Sequence, residues 1–367
     1  MSLRARFDEQ GDGYVFGLAR VAFALLLTLQ TWRLLQNTLA RGYFGDRFHL
    51  PLLPDAFVPS AGVFLGLLGL QLALGALAVG GWFSREALAL HALLGIHWLL
   101  CDRLQYHNNR FALCLLAFLC AFTPCDRSCL FFRGRAHTLP AEERRGATWA
   151  RHLIALQISA IYFSSGSGKL LDPDWFGGQT MLVRFTDGTE KLAQHGWPIP
   201  EWSIGLASAP WFASVASKSA ILLELSLALG LWWRRTRVVA LWAGVVFHFG
   251  IEVSSRVELF SWLMAAGYLA AFVRPELRER TLLIDPDWRF ARALQRAVPL
   301  LDWLARLKLE TGQGGQAGPV VFVDRAGERV TGLAAAAGMA RVLPAFFIFW
   351  GPLALLSKLT ARTVSRS

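Results

Sequence analysis

Hydrophobic and polar positions segregate along this chain into long blocks. Apolar runs fall at 14–35, 61–81, 87–101, 111–122, 150–165, 217–233, 238–253 and 259–273. Several approach the roughly 17–25 residues that a membrane-crossing helix requires, so the pattern predicts an all-α polytopic membrane protein with about eight transmembrane helices. Beyond Arg274 the pattern changes. Residues 281–285 read as a short strand and 289–307 as an amphipathic helix. A Gly-Gln-Gly-Gly linker follows, and then a strand at 319–324 entering a turn at Arg325-Ala326-Gly327. This predicts two parts, a transmembrane domain over 1–275 and a small cytoplasmic α/β appendage over 276–367. The apolar stretch 332–356 is interrupted by Arg341 and Pro344. It reads as packed helices or an interfacial segment in preference to a ninth crossing.

Composition agrees: 54% of the 367 residues are hydrophobic, with 15 Trp and 26 Phe, and mean hydropathy is +0.39. A net charge of +11 would suggest nucleic acid in a soluble chain. Here the arginines sit in short connections between apolar runs, where they set orientation and meet anionic head groups, so the expected partner is the bilayer and not nucleic acid. The five arginines between Arg127 and Arg145, the group Arg234, Arg235 and Arg237, and Arg274, Arg278 and Arg280 after the last run all mark the cytoplasmic side. The expectation is a multi-pass protein of a bacterial cytoplasmic membrane with both termini inside. The polar residues 1–13 show no removable signal peptide. The cysteines Cys101, Cys114, Cys120, Cys125 and Cys129 give no readable disulfide framework or zinc-ligand spacing, and no metal is expected.

That orientation brings ionisable groups to one face. Runs three, five and seven travel outward, and their outer ends carry His97 to His107, Lys169, and His248 with Glu252. The connections 37–60 (with Tyr43, Asp46 and His49) and 172–216 lie on the same side, as a site at the outer mouth of a helical bundle requires.

The fifth run ends in Tyr162-Phe-Ser-Ser-Gly-Ser-Gly-Lys169, followed by Asp174-Trp175. A desolvated lysine pairs with a carboxylate, reaches water, or gives up its proton, and a neutral amine is a general base. The bland alternative is a lysine snorkelling to the interface. An apolar surround would favour the neutral amine, whereas Asp172 or Asp174 would hold it charged. Glu224 stands inside the sixth run and needs a partner; helix packing is its default reading and proton handling the alternative. His248 and Glu252, four apart, share a helix face, as a catalytic pair or a structural one. Tyr162 and Arg184 are substrate contacts or packing and interfacial groups; His91 and His97 read as packing or interfacial residues. Gly166 and Gly168 permit close helix approach.

With Ile161-Tyr-Phe-Ser-Ser-Gly-Ser-Gly-Lys169, Trp175 and Gly178, the chain resembles the vitamin K-dependent gamma-carboxylase family. It is more similar still to that family's bacterial relatives carrying the horizontally transferred transmembrane (HTTM) domain. Tyr106-His-Asn-Asn109 with the following Leu-Leu-Ala-Phe, and Val246-Phe-His248 leading to Glu258-Leu-Phe260, add two more segments in the same order. The resemblance spans about 17–273.

The resemblance implies a gamma-carboxylase-like lyase or oxygenase. Lys169 would be the base that deprotonates a reduced quinone of the vitamin K or menaquinol kind. His248, Asn109 and His107 would act beside it, with Tyr162, Asp174, Trp175, Arg184 and Glu252 around the substrate. A lipid-soluble small molecule is the implied ligand, and a peptide or protein encoded nearby an implied partner. Three departures stand out: an additional residue between Lys169 and Trp175, Asn108-Asn109 where the carboxylases have Asn-His, and no large lumenal domain after the last run. His107 is two places earlier, about 200° around a helix, and so does not replace the missing histidine. The tail's Leu-Ile-Asp-Pro-Asp-Trp288-Arg-Phe-Ala291 resembles the start of a DCC-type, thiol-disulfide oxidoreductase-like domain. Trp288 and Ala291 occupy its two cysteine positions, which excludes redox chemistry there. A transporter and a non-catalytic scaffold are the rival functional classes.

Overall fold

The computed structural model describes residues 9–131, 139–194, 196, 200–254, 257–274, 276–312 and 318–364. The Gly-Gln-Gly-Gly linker lies outside them from Gln313 onward. Every apolar run becomes a helix. In the first part these are α1 (Tyr14–Arg41), α2 (Ala61–Gly80), α3 (Ser84–Cys101), α4 (Asn108–Cys120) and α5 (Ala150–Leu171). The connection after α5 is itself helical, with α6 (Pro173–Gly177), α7 (Gln179–Gln194) and α8 (Glu201–Ala207). Then come α9 (Pro210–Gly230), α10 (Arg237–Ser254) and α11 (Phe260–Ala271). Dense Thr, Gly and charged residues at 179–194 hid α7 from a reading by apolar runs alone.

Three of these helices are long and apolar enough to cross a membrane, within Tyr14–Asp46, Ala61–Gly80 and Pro210–Gly230. Eight crossings are therefore not established by length and composition. The physical reason is plain in α4 and α11, which have 13 and 12 residues. At 1.5 Å per residue they cover about 20 Å of a hydrocarbon core near 30 Å thick. In α5, Arg151, His152 and Lys169 lower the hydropathy.

Contacts divide the chain into one unit of residues 1–233 and 247–273 and another of 234–246 and 274–367. In the first unit, β1 (Gln10–Asp12) pairs antiparallel with β2 (Arg145–Ala147). Arg144 Nη2 meets Asp12 Oδ2 at 2.8 Å, tying the start of α1 to the approach to α5. Arg20, fully buried on α1, donates to the carbonyls of Cys125 and Cys129 at 2.7 Å each and of Ser128 at 3.3 Å. One guanidinium thus satisfies three backbone acceptors of the turn after α4, which would otherwise be buried without donors. The five cysteines are buried free thiols.

In the second unit, β3 (Arg280–Ile284) runs parallel to β4 (Leu307–Thr311), with α12 (Ala291–Leu301) between them in sequence. On its other side β3 pairs antiparallel with β5 (Val320–Val323), which pairs antiparallel with β6 (Arg329–Thr331). The sheet order is β4-β3-β5-β6. The amphipathic helix is shorter than the expected 289–307, and β4 takes its last residue. Asp302 explains the stop: its carboxylate accepts from Arg306 N at 3.0 Å and Leu307 N at 2.8 Å, turning the chain. The apolar stretch 332–356 forms α13 (Gly332–Val342), a 3₁₀ segment Pro344–Phe349 and the start of α14 (Trp350–Val364). Ala335 and Val342 of α13 join Leu282, Ile284 and Phe322 in a common core, and Gly338 leaves room for the Phe322 ring. Residues 234–246 belong with this tail through Trp242, whose indole N–H donates to Ile348 O at 2.8 Å.

Candidate active site

Tyr162, Ser165 and Lys169 stand at i, i+3 and i+7 on α5 and so share one face. Opposite them, α9 buries Ala213, Ser217, Ala220, Ile221, Glu224 and Leu227 along a single stripe. The two helices pack closely at Gly166, where an added Cβ would lie 3.0 Å from the Leu225 side chain and 3.3 Å from Glu224 Cβ. Small size there lets the Glu224 carboxylate reach across. Gly168 faces open space and has no such role.

Lys169 Nζ lies 2.6 Å from both Glu224 oxygens and 2.8 Å from Ser165 Oγ. Ser165 Oγ donates in turn to Glu224 Oε1 at 3.2 Å. The Glu224 side chain is 2% exposed and that of Lys169 18%. The ammonium also lies 5.0 Å from the centroid of the Trp175 ring, and Arg184 lies 5.0 Å from the same ring. The surround of Lys169 is therefore a carboxylate, a hydroxyl and an aromatic face, not the apolar pocket expected. Neither Asp172 nor Asp174 is its partner. Asp172 Oδ1 caps α6 by accepting from Asp174 N at 2.9 Å and Trp175 N at 3.3 Å, and the Asp174 side chain is exposed.

Beside this pair is a buried hydroxyl–imidazole cluster. Tyr162 OH bonds His248 Nε2 at 2.6 Å and also the Tyr268 hydroxyl. Ser261 Oγ donates to His248 O at 3.0 Å, and the Phe260 ring meets the imidazole edge-on with centroids 5.2 Å apart. Tyr162 stands two turns from Lys169 on the shared face of α5, which links the two clusters. One turn apart on α10, His248 Nδ1 and Glu252 Oε2 are buried with no hydrogen-bond partner among the described residues. They do not bond each other, although they share a face.

The structure therefore brings Lys169, Tyr162, Trp175, Arg184 and His248 into one neighbourhood. Asn109 and His107 are engaged elsewhere: His107 Nδ1 accepts from Asn109 N at 3.2 Å, capping α4 at the exposed N-terminal end. Ser165 and Tyr268 are the members that inspection of single motifs missed, and Glu224 was singled out without its partner. For Glu224 a signal existed, since a carboxylate within one apolar run and a lysine at the end of another each need a partner. Nothing in the pattern marked Tyr268, one of two hydroxyls, with Ser261, in an otherwise apolar helix.

Fold and site together define a helical membrane domain with a partly buried, serine-bridged lysine–glutamate pair beside a tyrosine–histidine–tyrosine cluster. The HTTM domain matches residues 9–276, and the chain belongs to the HTTM family, a membrane family related to the vitamin K-dependent carboxylases. No curated protein and no solved structure matches the chain.

Proposed function

We propose that the domain is a proton-abstracting membrane enzyme in which Lys169 is the base and Glu224 its buried counter-group. The observation that carries this reading is the contact of Lys169 Nζ with both Glu224 oxygens at 2.6 Å, made where one partner is hidden and the other is accessible. A pair holding a single proton is electrically neutral. On taking the proton of a substrate hydroxyl it becomes singly positive, next to the oxyanion it has created. A quinol is the substrate class that suits this chemistry: it is lipid-soluble, carries an acidic hydroxyl, and has a flat ring able to lie against Trp175. Oxygenation or carboxylation of the anion is the reaction type carried from the family resemblance. The orphaned His248 Nδ1 and Glu252 Oε2 offer a second point of contact, His107 and Asn109 a more distant one. The test is product formation from reduced menaquinone by the protein in nanodiscs, with oxygen and bicarbonate supplied and products followed by mass spectrometry. Turnover that is lost in Lys169→Met is expected. Equal turnover in that variant, or ligand transport without conversion, would return the lysine to a structural role.

The site reading uses eight crossings with both termini cytoplasmic, in a bacterial inner membrane. Single cysteines placed at Pro140 and Glu190 report on this, because the five native thiols are buried. The residue at 140 should react with a membrane-impermeant maleimide only in inverted vesicles and that at 190 only in intact cells. The opposite pattern would move Lys169 to the cytoplasmic face.

The tail fits a degenerate thioredoxin-like unit that has lost its cysteines. A parallel β-α-β pair followed by an antiparallel hairpin and a helix supports this. So does the turn at the start of α12, where Ala291 N donates to Trp288 O at 2.9 Å. A Trp288→Cys/Ala291→Cys variant should therefore close a disulfide on mild oxidation, seen as loss of two free thiols per chain. Persistence of both thiols would count against that ancestry.

A further inference from the structure

A cavity of about 240 Å³ opens in the first unit among α1, α2, α3, α4 and the residue Glu258 just before α11. Its volume exceeds what one water needs and lies just below the roughly 300–1,000 Å³ of drug-sized ligand pockets, which leaves room for a small polar molecule. Leu27, Leu99 and Cys114 give it an apolar lining, and Gln30, Arg33, Gln71, Arg110 and Glu258 a polar one. Gln71 is committed, accepting from Trp98 Nε1 at 2.6 Å and donating to His91 O at 3.2 Å. Gln30 is not: its Oε1 is buried with no partner among the described residues. Arg110 holds Glu258 through Nε and Nη2 at 3.0–3.1 Å, while its Nη1 has one long contact, to Gln105 O at 3.5 Å. That leaves guanidinium N–H groups free for a ligand.

A second cavity of about 120 Å³ shares the walls Leu34, Asn37 and Gln105 with the first. Arg41 and Arg47 line it, and Arg33 lines the inner one. None of these three makes an ion pair among the described residues. Two carboxylates also line the cavities, Asp102 in the second and Glu258 in the first. Asp102 Oδ1 accepts from Leu50 N at 3.3 Å and Leu104 N at 3.0 Å, and Glu258 is held by Arg110. The two linings thus hold four guanidinium groups against two carboxylates, with a spare donor on Arg110 and a spare acceptor on Gln30.

We propose that this paired cavity is a binding site for a small phosphate-type oxyanion that also carries a hydroxyl donor, with the chemistry of a glycerol phosphate. The oxyanion meets Arg33 and the second N–H of Arg110 Nη1, and the hydroxyl donates to Gln30 Oε1. The carbon skeleton rests on Leu27 and Leu99. The site is independent of Lys169 and stands if the proton-abstraction reading fails. The same head chemistry exists free in water and at the end of a phosphatidylglycerol.

The test uses the full-length protein and two probes. Free sn-glycerol 3-phosphate is titrated against protein in phosphatidylcholine nanodiscs by calorimetry. Phosphatidylglycerol is supplied in mixed nanodiscs, and lipid retained by the protein is read by native mass spectrometry. Binding of at least one probe is expected; which one binds identifies the source. Arg33→Gln/Arg41→Gln/Arg47→Gln changes exposed side chains, so folding should survive. It should weaken binding at least tenfold at low salt and flatten its salt dependence. Gln30→Leu should weaken binding without altering the salt dependence. Failure of both probes, or binding that the arginine variant leaves unchanged, overturns the proposal.

Discussion

Replacing Lys169 with methionine is expected to abolish turnover and to destabilise the domain by about 3–5 kcal/mol. That magnitude is typical when one partner of a buried ion pair is removed. The cost arises at Glu224, whose side chain is 2% exposed and whose carboxylate would keep, among the described residues, only the Ser165 hydroxyl as a donor. Methionine keeps the lysine's stem volume, so the cost is electrostatic and not a cavity. Lys169→Met/Glu224→Gln should therefore recover most of the stability, since the amide is neutral, while activity stays absent. Glu224→Gln alone keeps the amine and should separate the base from its counter-group, with kcat falling at near-normal fold stability. Thermal unfolding in detergent and quinol turnover, measured on all three variants, check this. Stability lost in Lys169→Met and not regained in the double variant would show that the pair is not the source. Full activity in Glu224→Gln would remove the glutamate from the proposed chemistry.

The second large effect is expected at Arg20. Arg20→Met leaves the carbonyls of Cys125, Ser128 and Cys129 buried without their donor. A buried backbone acceptor left unsatisfied costs about 1–3 kcal/mol, so the turn after α4 should loosen or the unit should unfold. Removing a buried cation offsets part of this. Cys125 and Cys129, buried at 0% and 3% exposure, should then react with a small maleimide at least tenfold faster, while Cys114 stays protected within α4. Arg20→Lys keeps the charge but not the planar fork and should fall between the two. Uniform acceleration at all five cysteines would indicate global unfolding. No acceleration would show that the turn holds without the arginine.

How far the site was readable follows from the kind of signal each residue leaves. Lys169 was conspicuous because an ionisable group at the end of an apolar run is costly unless used or paired. His248 and Glu252 were identified from their position on an outward-running helix, and Trp175 and Arg184 from their place just beyond the lysine. Spacing alone misdirected the choice of partner. Asp172 and Asp174 are three and five residues from Lys169, yet Asp172 is spent on the cap of α6. Glu224, 55 residues away, is the residue that reaches it. Helical periodicity places Tyr162, Ser165 and Lys169 on one face, but it does not say which other helix that face meets.

By itself the sequence determined the eight apolar helical segments, the composition change near Arg274, the strands at 280–284 and 320–323, and the small residue at 166 that permits close packing. These are local consequences of hydrophobic periodicity, of β-branched and turn residues, and of side-chain size. Only the tertiary structure decided that α5 lies against α9, so that Lys169 meets Glu224. The same holds for the joining of Tyr162, His248 and Tyr268 across three helices, and for the satisfaction by Arg20 of a turn more than one hundred residues away. Contacts between distant segments depend on which faces exclude lipid and water together. Any apolar face can satisfy that demand with several partners until the whole bundle is packed.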